Sequence, residues 1–159
     1  MNNEKVITII SCGKRKIWDK SPNIGQTLAK DAYISNYFKL CKKYAEKFSD
    51  KWFILSAKYG FIVPDFVISS NYNVKLDEIK DRLSFIEKLK EQAEKFGLQN
   101  YDKVVVLTGK DYFNVIKRSL QSFGLEICNP LEGLGIGDRQ KLLKKFNNNE
   151  NKDYTFDTN

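Results

Sequence analysis

Residues 6–16 read VITIISCGKRK, and this stretch decides the fold. Its first half, Val6–Ile10, is an unbroken run of β-branched residues. A strand with one face in water would alternate apolar and polar residues, so a continuous run of this length is a strand covered on both faces. Its second half is a turn of small residues, Ser11-Cys12-Gly13, that leads into Lys14-Arg15-Lys16. A buried strand ending on a short polar turn is the opening unit of an α/β domain.

The unit recurs along the chain. Trp52–Leu55 is a second short buried strand, closing on Ser56-Ala57-Lys58-Tyr59-Gly60, and Val104–Leu107 is a third, closing on Thr108-Gly109-Lys110. Leu125–Cys128 reads as a fourth. Between them the apolar period changes to that of a helix. Tyr33, Tyr37, Cys41, Tyr44 and Phe48 predict a helix over Asp31–Phe48, and Ile79, Leu83, Ile86, Leu89, Ala93 and Phe96 predict one over Asp77–Phe96, with Gly97 ending it. Phe113, Ile116, Leu120 and Phe123 mark a third, stopped by Gly124; a short terminal helix is expected at Arg139–Phe146 after the glycine-rich stretch Pro130–Gly137. Strands alternating with helices imply right-handed crossovers. The expected fold is an α/β three-layer sandwich, with a central parallel sheet of about four strands and helices on both faces. Residues 1–146 read as one domain and 147–159 as a polar, flexible tail.

Composition narrows the chemistry. The apolar share of 42% and 13% aromatics exclude a disordered chain. No apolar run nears the roughly 20 residues that span a bilayer, and Val6–Ile10 is too short for a signal segment, so a cytoplasmic protein without a membrane partner is expected. Cys12, Cys41 and Cys128 are widely spaced with no CxxC, which argues against disulfides and against a zinc site; no metal or cofactor is expected. The chain has no histidine. That removes Ser-His-Asp and Cys-His nucleophile systems and HExxH metalloproteases. The net charge of +7 is uneven: residues 1–49 hold ten Lys/Arg against four Asp/Glu. Such clustering favours an anionic partner, against the alternative of a proteome rich in Lys, Asn and Ile.

In a parallel α/β sheet, ligands bind outside the carboxyl ends of the strands. Three strand-end turns carry the candidate residues. Ser11, Gly13, Lys14 and Lys16 suit an anion, because turn N–H groups and lysine charge both favour phosphate, although the spacing is neither GxxxxGK[ST] nor GxGxxG. Cys12 is a candidate thiolate nucleophile, or simply a small residue that fits. Ser56, Lys58, Tyr59 and Gly60 open a loop of about fifteen residues containing Pro64-Asp65. Tyr59 could stack a base, Lys58 could meet a phosphate, and Asp65 is a candidate general base. Thr108, Gly109 and Lys110 form the third turn. Gly133 and Gly135 could admit a base or sugar close to the backbone, with Glu132 as a second candidate carboxylate. Their place after the last strand does not fit a nicotinamide or flavin fingerprint.

The segments IISCGKRK, WFILSAKYGFIVPD, VVVLTGKDYF and NPLEGLGIGDRQKLL resemble a family of short, largely uncharacterised bacterial and phage domains. That family is similar in general plan to YaaA-type peroxide-stress proteins. It is also similar to the uracil-DNA-glycosylase-like domain of archaeosine synthase, where a strand-ending Cys-Ser with a nearby Lys precedes a helix carrying Tyr-Ser. The matching stretches here are Ser11-Cys12 with Lys16, then Tyr33-Ile34-Ser35. The resemblance spans roughly residues 6–146 and implies a uracil-DNA-glycosylase-like sandwich with a nucleobase pocket at the strand ends, which adds Tyr33 to the candidates. The chain lacks the Gly-Gln-Asp-Pro-Tyr and His-Pro-Ser motifs of true uracil glycosylases.

N-glycosidic cleavage needs phosphate holders, a carboxylate near an electron-poor sugar and donors to the departing base, and this residue set can supply them. A glycosylase-type hydrolase acting on a nucleic acid or nucleotide is the leading expectation. A non-catalytic DNA-binding stress protein and another nucleotide- or phosphosugar-processing enzyme remain open beside it.

Overall fold

The computed structural model describes residues 3–149. In chain order its elements are β1 (Val6–Ser11), α1 (Ile17–Lys20), β2 (Thr27–Leu28), α2 (Ala29–Ala32), α3 (Asn36–Phe48), β3 (Lys51–Ser56), β4 (Gly60–Ile62), β5 (Val67–Ile68), α4 (Arg82–Lys95), β6 (Lys103–Leu107), α5 (Lys110–Leu120), β7 (Glu126–Cys128) and α6 (Ile136–Asn147). The main sheet has the order β4-β3-β1-β6-β7. β3, β1, β6 and β7 run parallel, with Ile9 level with Phe53 on one side and Val106 on the other.

Alternation along these strands builds two cores. Ile7, Ile9, Phe53, Leu55, Val104 and Val106 face one way and pack with Leu89 and Ala93 of α4 and Ile116 and Leu120 of α5. Ile10, Ile54, Val105 and Leu107 face the other way, against Phe38, Cys41 and Tyr44 of α3 and Leu143 and Phe146 of α6. The protein is therefore α/β with a helical layer on each face of the sheet.

The sheet departs from the expected four parallel strands: it has five, and β4 is antiparallel to β3. Gly60 is the reason. Its φ of +78° is open to glycine at little cost, and this turns the chain straight back after Ser56–Tyr59, so the start of the supposed long loop becomes an edge strand. Further on, β5 pairs with β2, and the Ala29 and Lys30 amides donate to the carbonyls of Phe66 and Pro64 at 2.8 and 2.9 Å. The excursion between β4 and α4 is thus tied down at its middle.

Two predicted helices begin later than their apolar stripes suggest. The Asp31–Phe48 stripe is broken at Tyr33–Ser35, where Ser35 accepts the Phe38 amide at 3.1 Å and starts α3 afresh. Asp81 does the same for α4 by accepting the Ser84 amide at 3.0 Å, leaving Leu76–Glu78 as a 3-10 turn. Gly97, at φ +75°, follows the end of α4 as the sequence implied. The terminal helix starts earlier than expected, at Ile136, and takes in Asn147, whose side-chain amide donates to the Leu40 carbonyl at 3.1 Å. The rest of the expected tail, from 150 onward, lies outside the described residues.

Candidate functional site

Chain order places the site. From β1 the chain passes through α3 to β3 on one side, and through α4 it then returns to β6 on the other side of β1. The connections leaving β1 and β6 enter opposite helical layers, so a crevice must open between their carboxyl ends. A cleft of about 490 Å³ lies there, walled by Cys12, Gly13, Lys14 and Lys16 after β1 and by Gly109, Lys110, Asp111 and Tyr112 after β6. Its third wall, Asn73 to Asp77, comes from the stretch between β5 and α4.

Lys16 is the most unusual group in it. The residue is only 5% exposed, and its ammonium donates to the Lys14 carbonyl at 3.3 Å while lying 4.5 Å from the centre of the Tyr72 ring. No carboxylate lies within ion-pairing distance; among the described residues the ion pairs are Lys30–Asp65 and Lys42–Asp31. Burial holds its pKa below the ordinary lysine value, with neighbouring Cys12 and Asp19 acting in the opposite direction. Asp19 is itself engaged, accepting the Lys16 amide at 2.8 Å and so fixing the entry to α1.

Beneath the ammonium lies a chain of hydroxyls. Tyr33 and Tyr72 share a short hydrogen bond, and Tyr72 also pairs with Ser56 at 2.9 Å. Burial raises both phenols, Tyr72 to about 12, so they stay protonated at neutral pH. An isolated bridge between Lys16 and Tyr33 and an Ile34 amide bond to the Arg15 carbonyl at 3.1 Å hold the basic turn against this layer. On the opposite wall, Tyr112 is also raised by burial, and its hydroxyl lies 3.8 Å from the Cys12 sulfur. Gly109 caps α5 without a side-chain hydrogen bond, and Gly109 and the first turn, Lys110 to Tyr112, line the cleft.

The three turns read from the sequence contribute unequally. Cys12, Gly13, Lys14 and Lys16 line the cleft, as do Gly109 and Lys110. Ser11 ends β1 at its base. Thr108 is buried, with its hydroxyl turned to the Gly109 carbonyl at 3.0 Å and its own carbonyl taken by Arg139 at 3.1 Å. The middle turn lies under the site rather than around it. Ser56 bonds Tyr72, which lines the adjoining hollow rather than the cleft. Tyr59 is packed between Phe66 and Tyr72, with centroids at 5.0 and 5.3 Å, and Lys58 lies over the rings of Tyr59 and Tyr72. Gly60 serves the hairpin: a Cβ there would come within 2.2 Å of Gln92 Oε1, which accepts the Phe61 amide.

Asp65, Glu132, Gly133 and Gly135 stand apart from the cleft walls. Asp65 is exposed and ion-paired with Lys30 at 3.3 Å. Glu132 is exposed on the turn before α6, where Gly133 takes φ +80° and Gly135 caps the helix. The carboxylates the cleft does contain are Asp77 and Asp111. These two, with Tyr72, Lys75 and Tyr112, were not among the residues singled out from sequence.

The molecule is thus an α/β protein with a basic cleft at the switch point of its sheet. It belongs to DUF6884, a family of unknown function whose model matches residues 7–145. The uncharacterized protein YfjM of Bacillus subtilis (strain 168) is 40% identical over 112 residues, covering 70% of this chain and 75% of that protein. No solved structure gives a significant match. No helix among the described residues is long and apolar enough to cross a membrane.

Proposed function

We propose that the protein takes a phosphate-bearing nucleotide unit into the switch-point cleft and hydrolyses the bond between its sugar and its base. The observation that carries this reading is Lys16: a buried ammonium lining a cleft, with no carboxylate of the described residues in ion-pair contact with it. An isolated buried charge is expensive, so a fold that keeps one is best explained by an anion that completes it. The phosphate lies between Lys16, Lys14 and the first amides of α5, where fixed N–H groups and the helix dipole favour negative charge. Val74 and Leu76 offer an apolar wall to base or sugar. As the C1′–N bond breaks, its electron pair leaves with the base. The Tyr112 phenol hydrogen-bonds to that base, Asp77 stabilises the cation-like sugar and takes a proton from the attacking water, and the new C1′–O bond completes the hydrolysis. The resemblance to glycosylase-like domains supports the same placement of a base at the strand ends.

The test is release of free base. DNA carrying modified bases, and separately a pool of nucleoside monophosphates, is incubated with the protein and the products are separated chromatographically, with alkali used to reveal abasic sites. Base release that Asp77→Asn abolishes while phosphate binding persists is the expected result. A second reading, a non-catalytic nucleic-acid-binding protein of YaaA type, draws on the position of Asp65 and Glu132 outside the cleft. Salt-sensitive DNA binding without base release from any substrate would replace the first reading with the second. A free nucleotide that raises Tm without losing its base would favour a different nucleotide-processing chemistry.

A further inference from the structure

The cleft does not end at its own mouth. Lys14 lines both the cleft and an adjoining hollow that also holds Arg15. Arg15 in turn lines the next hollow with Lys20 and Lys39, and Lys39 lines a groove along α3 with Lys43. Successive depressions share a cation at each junction, so the basic surface runs without a gap from the cleft to the outer face of α3.

The cations on this path fall into two groups. Lys42 is ion-paired with Asp31 at 3.6 Å and donates to the Lys30 carbonyl at 3.2 Å, and Lys47 donates to the Asn147 carbonyl at 3.0 Å; both are half-buried and structurally committed. Lys14, Arg15, Lys20, Lys39 and Lys43 are exposed, and their side chains have neither an ion pair nor a hydrogen bond among the described residues. The acidic groups along the path are fewer than the cations, and Asp19 stands beside Arg15 in the adjoining hollow. Asp31 is occupied by Lys42, Asp19 accepts the Lys16 amide and the Asn71 side chain, and Glu46 alone faces the α3 groove. Lys39 and Lys43 stand one helical turn apart on the same face of α3. A row of uncommitted cations leading to a cleft of about 490 Å³ is a track for a polyanion whose end or extruded unit enters that cleft.

We infer that the protein's substrate is a polynucleotide rather than a free nucleotide, with its sugar-phosphate backbone lying along Arg15, Lys20, Lys39 and Lys43 while one nucleotide enters the cleft. The inference rests on the reading of the cleft as a nucleotide site, but the track can be tested without turnover.

The experiment measures anisotropy of a fluorescein-labelled oligonucleotide of about 20 nucleotides as single-stranded DNA, single-stranded RNA and duplex DNA, over a range of salt concentrations. The protein is compared with a triple variant, Lys20→Gln, Lys39→Gln and Lys43→Gln, which leaves the cleft walls untouched. A control triple, Lys88→Gln, Lys95→Gln and Lys117→Gln, removes the same charge from exposed positions on the opposite helical layer. The track variant is expected to lose at least about tenfold in affinity near 0.15 M salt. Its log–log salt slope is expected to fall by about 2, since each lost phosphate contact removes roughly 0.7 on a single strand and 0.9 on a duplex. The control should match the unaltered protein. Whichever of the three polymers shows this pattern identifies the substrate type. Equal loss in both triples would reduce the effect to net charge and overturn the inference, as would unchanged binding in the track variant or no binding of any polymer. Base release from the polymer, read in parallel at subsaturating concentration, is expected to fall in the track variant and to be unchanged in the control triple. If polymer binding depends on the track but no base is ever released, the catalytic reading fails while the track stands.

Discussion

The two helical coats of the sheet are built from different materials. On the α4–α5 side the buried cluster is aliphatic and phenylalanine throughout, from Ile7 and Phe53 to Leu89 and Leu120. On the α3–α6 side the corresponding cluster includes Trp18, Tyr33, Tyr44 and Tyr72. That side also takes Thr8 and Ser56, which alternate with the strand residues facing α4 and α5, and Lys16 is buried at its upper edge. A hydrocarbon core gains stability from every contact, whereas each buried polar group must be hydrogen-bonded merely to break even. The buried aromatic hydroxyls therefore gather on the α3–α6 side, under the cleft, while the α5 layer buries the Ser119 hydroxyl, which donates to the Val115 carbonyl at 2.7 Å.

The largest effect tests the first half of that contrast. Leu89, fully buried on α4, makes no contribution to the cleft walls. Leu89→Ala is expected to lower unfolding free energy by about 2–5 kcal/mol in urea titrations while leaving phosphate affinity of the folded protein unchanged. A comparable loss of binding would mean the two coats are energetically coupled, and the division between them would not hold.

Lys16→Met breaks the contrast from the other side. It removes the buried charge but keeps an unbranched side chain that can fill the same space. Affinity for inorganic phosphate or a nucleotide should fall about tenfold or more, in line with losing a hydrogen bond to a charged group. Stability at pH 7 should stay level or rise. The pH dependence has a definite sign. Burial lowers the folded-state pKa of Lys16, so between that value and the ordinary lysine value near 10.4 the unfolded chain binds more protons. Stability of the unaltered protein therefore rises with pH through that window, and the Met variant lacks this rise. Phosphate affinity of the unaltered protein falls over the same window as the ammonium is lost. Affinity in Lys16→Met equal to that of the unaltered protein would remove Lys16 from the site.

What the sequence reveals follows from the range of each signal. Val6–Ile10 and Val104–Leu107 announce buried strands because the signal is local and continuous, and Gly97 announces a helix end because only its own φ matters. The turn after β1 was legible as a wall of the cleft for the same reason. The hairpin at Gly60 was not, because its necessity comes from Gln92, more than thirty residues away, which closes over it with bonds to the Tyr59 carbonyl and the Phe61 amide. The third wall was hidden likewise. Asn73 to Leu76 lie in a stretch with no period of its own, and Asp77 stands at the start of a predicted helix; they wall the cleft through the fold of the excursion between β5 and α4. Ser35 and Asp81 did carry a local signal, a cap followed three residues later by the amide it accepts, but the longer apolar stripes overrode it.

The smallest effect concerns how far the polar character of the α3–α6 side belongs to the site. Thr8 is fully buried in the middle of β1, and its hydroxyl has no partner among the described residues. It lies three residues before the strand end, about 10 Å from the cleft at the rise of an extended chain. An unsatisfied buried hydroxyl destabilises by roughly 1–3 kcal/mol relative to an apolar group of the same shape, though relaxation of the neighbours recovers part of that. Thr8→Val is therefore expected to raise stability by about 1 kcal/mol without altering phosphate or oligonucleotide binding. Such a gain would confine the functional polar groups to the layer of Tyr33, Ser56 and Tyr72 directly beneath Lys16. A loss of stability would show instead that the Thr8 hydroxyl is satisfied in solution, by a water reaching deep between the sheet and α3, and the polar coat would then be hydrated well below the cleft.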